Sequence, residues 1–537
     1  MNQSLADVFD GYLDLRWRLD PVEATFAGLH ESSGEFARYD AISVREQLAA
    51  LRSYTSALEE AEADTLDEEI DRTAALHDAR HWILLFERER PFAFNPAFHL
   101  SHALNGLHLL LARGPQDPAR RAVELLQRLR ALPDFLIRAV DALTEPARPL
   151  VALGSSMIPG GVALIRDGLD DGAVDLSVLD SNELAEAREG AVRALLEFND
   201  ALALMEEDAS EKFAIGRELF DRKLHTAHMI RDGADELLRY GEQLRAEATE
   251  ELERIAAEVE PGVHWREVLA RLREDVPESG RALDEYCASL AAAREFTESR
   301  GLMTVTDAPV EVEHTPGFLR MMIPFAAYQG PGAFEEEQRG RFFVTLPAAG
   351  EARGVECRAE RSSTVLHEGV PGHHQQITVA NRLPGIMRRI LATPAAREGW
   401  ALYCESLMAE EGFLSTPGER LFHAHHLLWR ALRVILDVKL HTKKMPVADA
   451  ARMLRDELGF TDAAAAAEVA RYCAYPTYQL CYAVGRRDIL RLRDDARRAR
   501  GSDFSLSSFH DELLSYGGLP TALARWGMGL EDGDGRQ

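Results

Sequence analysis

Apolar residues recur at spacings of three and four over most of the N-terminal half of the chain. The period is clear in residues 44–92, 118–146, 183–207 and 211–259, where dense Glu and Arg fill the positions between them. This is the period of an amphipathic α-helix, whose charged residues form a solvated face. The sequence therefore predicts a mainly α protein, built as a large multi-helix body.

A stretch of different character lies in the second half of the chain. Residues 302–347 contain Gly, Pro, aromatic residues and alternating apolar residues, and 341–347 predicts a strand that ends at its proline. We expect a small antiparallel sheet there. Pro261-Gly262 and Pro277 are the best candidate boundaries. We expect a helical N-terminal part over 1–260 and a second helical part with the sheet over 261–537, joined in one continuous body.

The charge of the chain excludes two classes of partner. The formal net charge over 537 residues is −28. A strongly acidic surface repels nucleic acid and anionic membranes, so we expect neither as a partner. No window approaches twenty apolar residues, and the N-terminus lacks the basic region and apolar core of a secretory signal. We therefore expect no membrane span and no export signal.

The cysteines favour a reducing compartment. They are odd in number, scattered, and form no Cys-x-x-Cys pair, which does not suit a disulfide framework. We therefore expect a cytoplasmic protein, while the oligomeric state stays open, a homodimer included. The cysteines are Cys287, Cys357, Cys404, Cys473 and Cys481.

Residues 367–374 form a stretched version of a zinc-protease signature, His-Glu-Gly-Val-Pro-Gly-His-His. In the ordinary form, two His at i and i+4 share one helix face and bind zinc, and the Glu after the first acts as general base. Here position i+4 is Pro371, which cannot bind a metal. An unbroken helix would put residue i+7 roughly 10 Å along its axis from His367. A Zn–N bond is only about 2.0–2.1 Å long, so the helix must be interrupted.

Pro371-Gly372 decides whether a second histidine returns to the face of His367. If this pair bulges outward, the remaining residues read His-Glu-x-x-His, with His373 as the second ligand. His374 would then point in a neighbouring direction and orient a ligand or the substrate. The alternative is that the helix ends here and both histidines lie in a loop.

The third ligand is expected on a following helix. Thr393-Pro394 is a good helix start, an N-cap residue followed by proline at the first helical position. Residues 395–410 then predict a continuous helix rich in Ala, Leu, Met and Glu. Glu398, 31 residues after His367, is the predicted ligand. Its neighbours Gly399 and Ala401 are small and would let a metal or another helix approach closely. Glu405 lies on the same face seven residues later, as a substitute ligand or as a partner of a ligand.

A second group of polar residues lies on the helix predicted for about 419–441. Arg433, Asp437 and His441 are spaced by four residues and form one stripe. They predict either a structural salt bridge or an imidazole, His441, held in one orientation beside the reaction. The histidines of residues 423–426 lack the His-Glu pairing of the main motif, and we interpret them as structural.

Tyr482 is the candidate for stabilising an oxyanion. A phenol can hydrogen-bond the oxyanion that forms when water attacks an amide, without itself carrying charge. The alternative is an ordinary core tyrosine. Arg486 or Arg487, which follow on the same segment, are candidates for meeting a substrate carboxylate. His510 is a weaker catalytic candidate.

These motifs together resemble the bacterial DUF885 proteins, which are similar to the gluzincin clan of zinc metallopeptidases. In the clan's motif the residues Gly-His match Gly372-His373, which favours His373 over His374 as ligand. One departure is visible, because Tyr478 stands where the family pattern has Gln. The matching pieces are Asp20–Thr25 with Gly28 and His30, residues 367–374, Glu398-Gly399-Trp400-Ala401, Arg433, Asp437, His441, Tyr482, Gly485, Phe509-His510-Asp511 and Gly518-Leu519-Pro520.

The resemblance implies a fold and a reaction. Gluzincins are mostly helical bodies closing over a deep cleft, with a small sheet beside the metal helix whose edge strand can hold a peptide. Tyr328 would lie at the turn before that edge and contact substrate; the alternative is an ordinary hairpin packed on helices. His367, His373 and Glu398 would hold one Zn²⁺, and Glu368 would activate water toward the amide bond of a short peptide.

Two other functions stay open. The first is metal-dependent hydrolysis of a non-peptide amide, such as a modified amino acid or another small acylated amine. The second is a non-catalytic helical binding protein whose motif has decayed, with Pro371 as the trace of that decay. The presence of both Glu368 and Glu398 argues against decay, because a lost function makes no demand on either.

Overall fold

The computed structural model of the chain describes residues 4–113, 117–170, 174–316, 323, 326–346 and 357–530. Contacts within the chain divide these residues into two compact units, which are described separately. The first unit takes in the described residues through Ile215, with Pro316 and Gly332–Glu336, and the second takes in the rest. The predicted mainly α fold is confirmed in both.

The first unit consists of helices packed on one another. Helices α7 and α8 both pack against α9, and α6 packs against α7 and α8. Leu125 and Leu129 of α7 and Leu195 of α9 are fully buried between them. The helices are α1 (Leu5–Leu19), α2 (Pro21–Ala27), α3 (Ala41–Glu60), α4 (Leu66–Leu84), α5 (Pro91–Phe94), α6 (Pro96–Arg113), α7 (Pro118–Ala142), α8 (Arg148–Arg166) and α9 (Ser181–Asp208).

Helix α8 is long and apolar enough to cross a membrane by length and composition alone. The sequence predicts no such span, and a core helix passes the same test. In the structure α8 packs against α6 and α9, and Leu150, Val151 and Ile165 on it are almost completely buried. These three apolar residues therefore have packing partners within the first unit, and 39% of the helix's apolar window is buried.

The second unit is built around one long helix, α18. Most residues of α18 from Leu421 to His441 are buried, and the helix contacts α11, α14, α17, α20 and α21. A helix buried nearly all round belongs to a core. The elements are α10 (Arg217–His228), α11 (Ala234–Val259), α12 (Trp265–Leu272), α13 (Ala282–Ser299), β1 (Val310–His314), β2 (Ala326–Gln329), β3 (Gly340–Val344), α14 (Arg358–Glu368), α15 (His373–Ala380), α16 (Ile386–Ile390), α17 (Pro394–Glu410), α18 (Pro417–Thr442), α19 (Val447–Leu458), α20 (Asp462–Ala474), α21 (Cys481–Arg500), α22 (Leu506–Leu514) and α23 (Thr521–Gly527).

The small sheet is mixed rather than wholly antiparallel. Strand β3 lies in the middle, parallel to β1 and antiparallel to β2. The prediction of an antiparallel sheet is therefore wrong for the β1–β3 pair. Residues 315–339 separate these two strands, which is long enough for the chain to cross over and return in the same direction. Strand β2 contacts α14, so the sheet does lie beside the helix that carries His367.

Two helices of the second unit touch through their backbones. A Cβ atom added at Gly485 of α21 would lie 2.0 Å from the carbonyl oxygen of Ala395, and one at Gly399 of α17 would lie 2.5 Å from Gly485 Cα. No side chain fits at such distances. The sequence predicts that small residues around Glu398 allow another helix to approach closely, and this is confirmed for Gly399.

We expect Gly485→Ala to destabilise the protein by about 2–3 kcal/mol, because the new methyl group forces α17 and α21 apart. Urea unfolding followed by circular dichroism measures this. Gly190→Ala is the matched control. Nothing lies within 4 Å of the Cβ position at Gly190, inside α9, so this change should be neutral or stabilise by up to about 1 kcal/mol. Equal effects of the two changes would contradict the account.

Candidate metal centre

The interruption after His367 takes the form of a break between two helices. Helix α14 ends at Glu368, residues 369–372 connect, and α15 begins at His373. The structure thus differs from both predicted forms, a bulge within one helix and a loop that holds the histidines. A Cβ atom at Gly372 would lie 2.0 Å from the carbonyl oxygen of His367 and 2.3 Å from that of Leu366. The chain folds back so tightly over the end of α14 that only glycine fits there.

Helix α17 holds this connection in place. The indole Nε1 of Trp400 donates hydrogen bonds to the carbonyl oxygens of Pro371 and Gly372, at 2.9 and 3.2 Å. The Cys404 thiol also donates to the Pro371 oxygen, at 3.3 Å. Because α17 also carries Glu398, the same helix fixes both the turn and the third predicted ligand.

The three predicted metal ligands come together. Ligand atoms of His367, His373 and Glu398 all lie within 4.8 Å of one another. Nε2 of each histidine is 3.5 Å from Glu398 Oε2, and the two imidazole rings are 4.8 Å apart at 84°. Tetrahedral zinc with bonds of about 2.0–2.1 Å leaves roughly 3.3 Å between its ligand atoms. The three side chains therefore fit zinc, and 3.5 Å is long for a direct hydrogen bond.

Hydrogen bonds from outside the trio orient two of its members. His367 Nδ1 lies 2.8 Å from Glu405 Oε1, which leaves Nε2 to face the trio. The Tyr478 hydroxyl donates a hydrogen bond to Glu398 Oε1 at 2.8 Å, which leaves Oε2 to face the two histidines. Partners of this kind fix the orientation of metal ligands, and the carboxylate of Glu405 also raises the basicity of the imidazole. Of the two roles predicted for Glu405, its position is that of a partner of a ligand.

The charges around the trio suit a cation. Burial alone would lower the pKa of His367, but the nearby carboxylates of Glu398 and Glu405 and the charge of Glu368 raise it to about 10. Burial would raise the pKa of Glu398 and of Glu405, yet the surrounding imidazoles hold both pKa values well below the usual range. Both carboxyls are thus held in the ionised form that metal binding needs.

The trio keeps an accessible side. The side chains of His367, His373 and Glu398 are 9%, 13% and 14% exposed, whereas Glu405 behind them is 1% exposed. Glu368, the predicted base, is half-buried, and in the described part of the chain its carboxylate makes no hydrogen bond or ion pair. A catalytic metal site likewise keeps an open position and an uncommitted base beside it.

Two tyrosines line the site. The ring of Tyr482 stacks on that of His367, with centroids 6.1 Å apart at 16°, and burial together with the charge of Glu398 raises its pKa. The ring centroid of Tyr478 lies 6.2 Å from that of Tyr482. Sequence reasoning missed the contact of Tyr478 with Glu398, although it noted Tyr478 as a departure from the family pattern.

The turn that carries these tyrosines is held by Asp437. Its carboxylate accepts hydrogen bonds from the backbone N–H groups of Thr477 and Leu480, at 3.1 and 3.3 Å. Thr477 has a φ of 69°, in the left-handed region. Asp437 is fully buried, and burial raises its pKa to about 7 in spite of these bonds. Asp437 of the predicted stripe therefore supports the turn, while His441 Nε2 lies 3.0 Å from the carbonyl oxygen of Tyr472.

The remaining predicted site residues make hydrogen bonds outside the trio. His374 bridges the Tyr328 hydroxyl of β2, at 2.8 Å, and the Ala308 carbonyl oxygen, at 2.9 Å. His374 therefore ties the edge strand β2 to α15, and His373 alone of the two histidines faces Glu398. His510 lies 2.7 Å from the Tyr403 hydroxyl.

Both predicted arginines are also engaged. Arg486 donates from Nε to the Ser406 hydroxyl at 2.7 Å, and Arg487 pairs with Asp232 and Asp488. The histidines of residues 423–426 lie behind the site, where His423 Nδ1 is 3.5 Å from Glu405 Oε2. Their position is consistent with the structural interpretation.

Residues 21–528 match the model of a family described as bacterial proteins of unknown function, DUF885. The chain belongs to this family. The match runs from α2 to α23, so the trio and its hydrogen-bond partners all lie inside the DUF885 region. None of the curated proteins matches the chain.

Two solved structures share the fold with this DUF885 protein. A candidate lipoprotein of unknown function from Shewanella oneidensis is 21% identical, with a TM-score of 0.79, and the match covers 98% of this chain and 100% of that one. A candidate lipoprotein from Colwellia psychrerythraea is 18% identical, with a TM-score of 0.84, over 98% and 99% of the two chains. At these identities the likeness shows the fold alone.

We expect Tyr478→Phe to weaken zinc binding about 10–100-fold, because it frees Glu398 Oε1 from the hydroxyl that orients it. Competition with a chromogenic chelator measures this affinity. Tyr240→Phe is the control, since it also removes one phenolic hydrogen bond, from Tyr240 to the Ala483 carbonyl oxygen. The control should bind zinc like the wild type, and equal losses in both variants would contradict the role of Tyr478.

Asp437→Asn should gain stability relative to the wild type as pH rises. The folded pKa of about 7 lies above the usual 3.8, so the stability linked to this group is complete below about pH 4 and falls toward pH 7. Asparagine cannot ionise, so between pH 5 and 8 the difference in unfolding free energy should move by about 2 kcal/mol in its favour. Urea unfolding at both pH values measures it.

Asp40→Asn serves as the control for this pH dependence. Asp40 caps α3, and hydrogen bonds from Ser43 hold its pKa below the usual value. Its difference from the wild type should therefore not change between pH 5 and 8. A pH-independent difference for Asp437→Asn as well would mean that this carboxyl titrates normally in the folded protein.

Proposed function

We propose that this DUF885 protein is a zinc-dependent hydrolase that cleaves amide bonds in short peptides. One observation carries the proposal: Nε2 of two histidines and one oxygen of Glu398 converge, while Glu405 and Tyr478 hold them from behind. A set of two histidines and one carboxylate is typical of catalytic zinc sites. The resemblance of residues 367–374 and of Glu398-Gly399-Trp400 to the gluzincin clan supports the same class.

In this proposal His367, His373 and Glu398 hold the ion. Zinc, when bound, would polarise the scissile carbonyl and lower the pKa of water. Glu368 takes a proton from the attacking water and passes it to the leaving amine. The hydroxyl of Tyr482 donates a hydrogen bond to the oxyanion that develops on the former carbonyl oxygen.

The proposal includes the cellular compartment in which the protein acts. All five cysteines are free, and Cys357, Cys404, Cys473 and Cys481 are buried. Free buried thiols suit a reducing compartment such as the cytoplasm. The lipoprotein descriptions belong to the two structural neighbours and are not carried over to this chain.

Hydrolysis of a non-peptide amide is the second candidate. Arg486 and Arg487, the two arginines predicted to bind a substrate carboxylate, are both bonded to other side chains of the protein. Neither is therefore free to bind the terminal carboxylate of a peptide. A panel of small acylated amines, screened beside a peptide library, separates the two substrate classes. Cleavage confined to the acylated amines would replace the peptide proposal.

The test of the mechanism is Glu368→Gln in zinc-loaded protein, assayed against a peptide library by mass spectrometry. We expect about one equivalent of zinc to remain and hydrolysis to fall about 10²–10⁴-fold, because only the base is lost. His373→Ala should lose zinc as well, and His374→Ala should keep it. Unchanged hydrolysis in Glu368→Gln would overturn the base assignment, and zinc lost from His374→Ala alone would move the ligand to His374.

A further inference from the structure

The inward face of α18 carries four cationic or titratable side chains beside the metal centre. His423, His426, Arg430 and Arg433 follow one another at spacings of three, four and three residues, and all are buried. The two histidines face Glu405. Arg433 is engaged by the Tyr472 hydroxyl and by Glu468, at 3.3 and 3.4 Å.

Arg430 differs from its neighbours because it has no polar partner. The residue is 9% exposed, and its Nε and Nη1 are buried without a hydrogen bond. Within the described part of the chain it forms no ion pair either. Each of the other buried arginines has at least one polar partner; these are Arg16, Arg128, Arg361, Arg388, Arg433, Arg487 and Arg493.

A buried, unpaired guanidinium is energetically unfavourable. Removing a charge from water is unfavourable unless partners replace the lost hydration. The guanidinium carbon lies 5.2 and 5.8 Å from the ring centroids of Trp429 and Tyr482. Cation–π contact with these rings offsets part of the cost of burial, but the rings accept no conventional hydrogen bond. Burial accordingly lowers the pKa of Arg430. An anion that reached this side chain would accept hydrogen bonds from these unpaired donors and offset the cost of burial.

The position of Arg430 indicates which anion would reach it. Arg430 lies against Tyr482, whose ring stacks on His367. The negative charges of Glu405 and Glu398 also act on its guanidinium. A guanidinium presents paired N–H donors that match the two oxygens of a carboxylate. A carboxylate bound there would lie next to Tyr482, whose ring stacks on His367 of the candidate metal centre.

We propose that Arg430 receives a carboxylate of the substrate beside the metal centre, so that the substrates are short peptides or acylated amino acids ending in a free carboxylate. This inference rests on the proposed hydrolase function. It assigns the role that the sequence suggested for Arg486 or Arg487, which are engaged elsewhere, to an arginine on a different helix.

Two measurements test the inference, one of binding and one of cleavage. The first follows thermal unfolding of the full chain with a pool of acetylated dipeptides, as free acids or as C-terminal amides. The acid pool should raise the midpoint of the wild type in a concentration-dependent way, and the amide pool should not. The second compares zinc-loaded protein on tripeptide acids and amides, where the acids should react at least about tenfold faster in kcat/KM.

Arg430→Met should remove both preferences. Because the change deletes an unpaired buried charge, it should leave the unliganded midpoint equal or higher. Arg493→Met is the matched control, since Arg493 is equally buried but pairs with Glu410 at 2.9 Å. The control should lower the midpoint and keep both preferences.

Other results would overturn the inference. The inference fails if the acid and amide pools shift the midpoint equally or if neither pool shifts it. It also fails if either preference survives in Arg430→Met. A lower midpoint of unliganded Arg430→Met would mean that the arginine neutralises Glu405. A shift produced equally by chloride would mark a site for small inorganic anions. An acid-specific shift without cleavage would contradict the hydrolase function but leave the carboxylate site standing.

Discussion

The absence of a side chain at position 372 is the constraint on which the candidate metal centre depends. With His367 at the end of α14, the next histidine must return within about six residues to the same small volume. The chain does this by folding back over the last carbonyl groups of α14, where a Cβ at Gly372 would lie 2.0 Å from an oxygen. Any other residue at this position would push α15, and with it His373, away from His367.

The supports of the site come from three further helices, and each acts through a specific contact. Helix α17 contributes Glu398, holds the turn through Trp400, and places Glu405 behind His367. Helix α21 reaches α17 through the paired glycines, Gly399 and Gly485, and brings Tyr482 onto the imidazole of His367. Helix α18 holds the turn before α21 through Asp437. The site is therefore set by packing between helices that are distant in sequence.

Much of the fold and of the candidate site could be predicted from local patterns in the sequence. The helical period gives the mainly α fold, and the composition of residues 302–347 gives a small sheet. Its place beside α14 is implied by the family resemblance. His367, His373 and Glu398 follow from the stretched motif and from the helix start at Thr393-Pro394, because metal ligands require particular residue types at restricted spacings. The close helix contact at Gly399 follows from residue size.

Other features depend on tertiary contacts that no local pattern encodes. The break between α14 and α15 needs Trp400 as a donor to Pro371, 29 residues away. The parallel pairing of β1 with β3 depends on where the chain crosses over. Tyr478 occupies a position where the family pattern has another residue, so its bond to Glu398 could not be carried over. Arg430 has the spacing of an ordinary structural arginine, and only the folded chain shows that it lacks a partner.

The most direct test of the account is anomalous diffraction at the zinc edge from crystals of the zinc-loaded protein. We expect one strong peak, about 2.0–2.2 Å from Nε2 of His367, Nε2 of His373 and Oε2 of Glu398. A peak among His423, His426 and Glu405 would mean that the histidines behind the site, not the stretched motif, bind the metal. No peak at any of these residues would contradict the account as a whole.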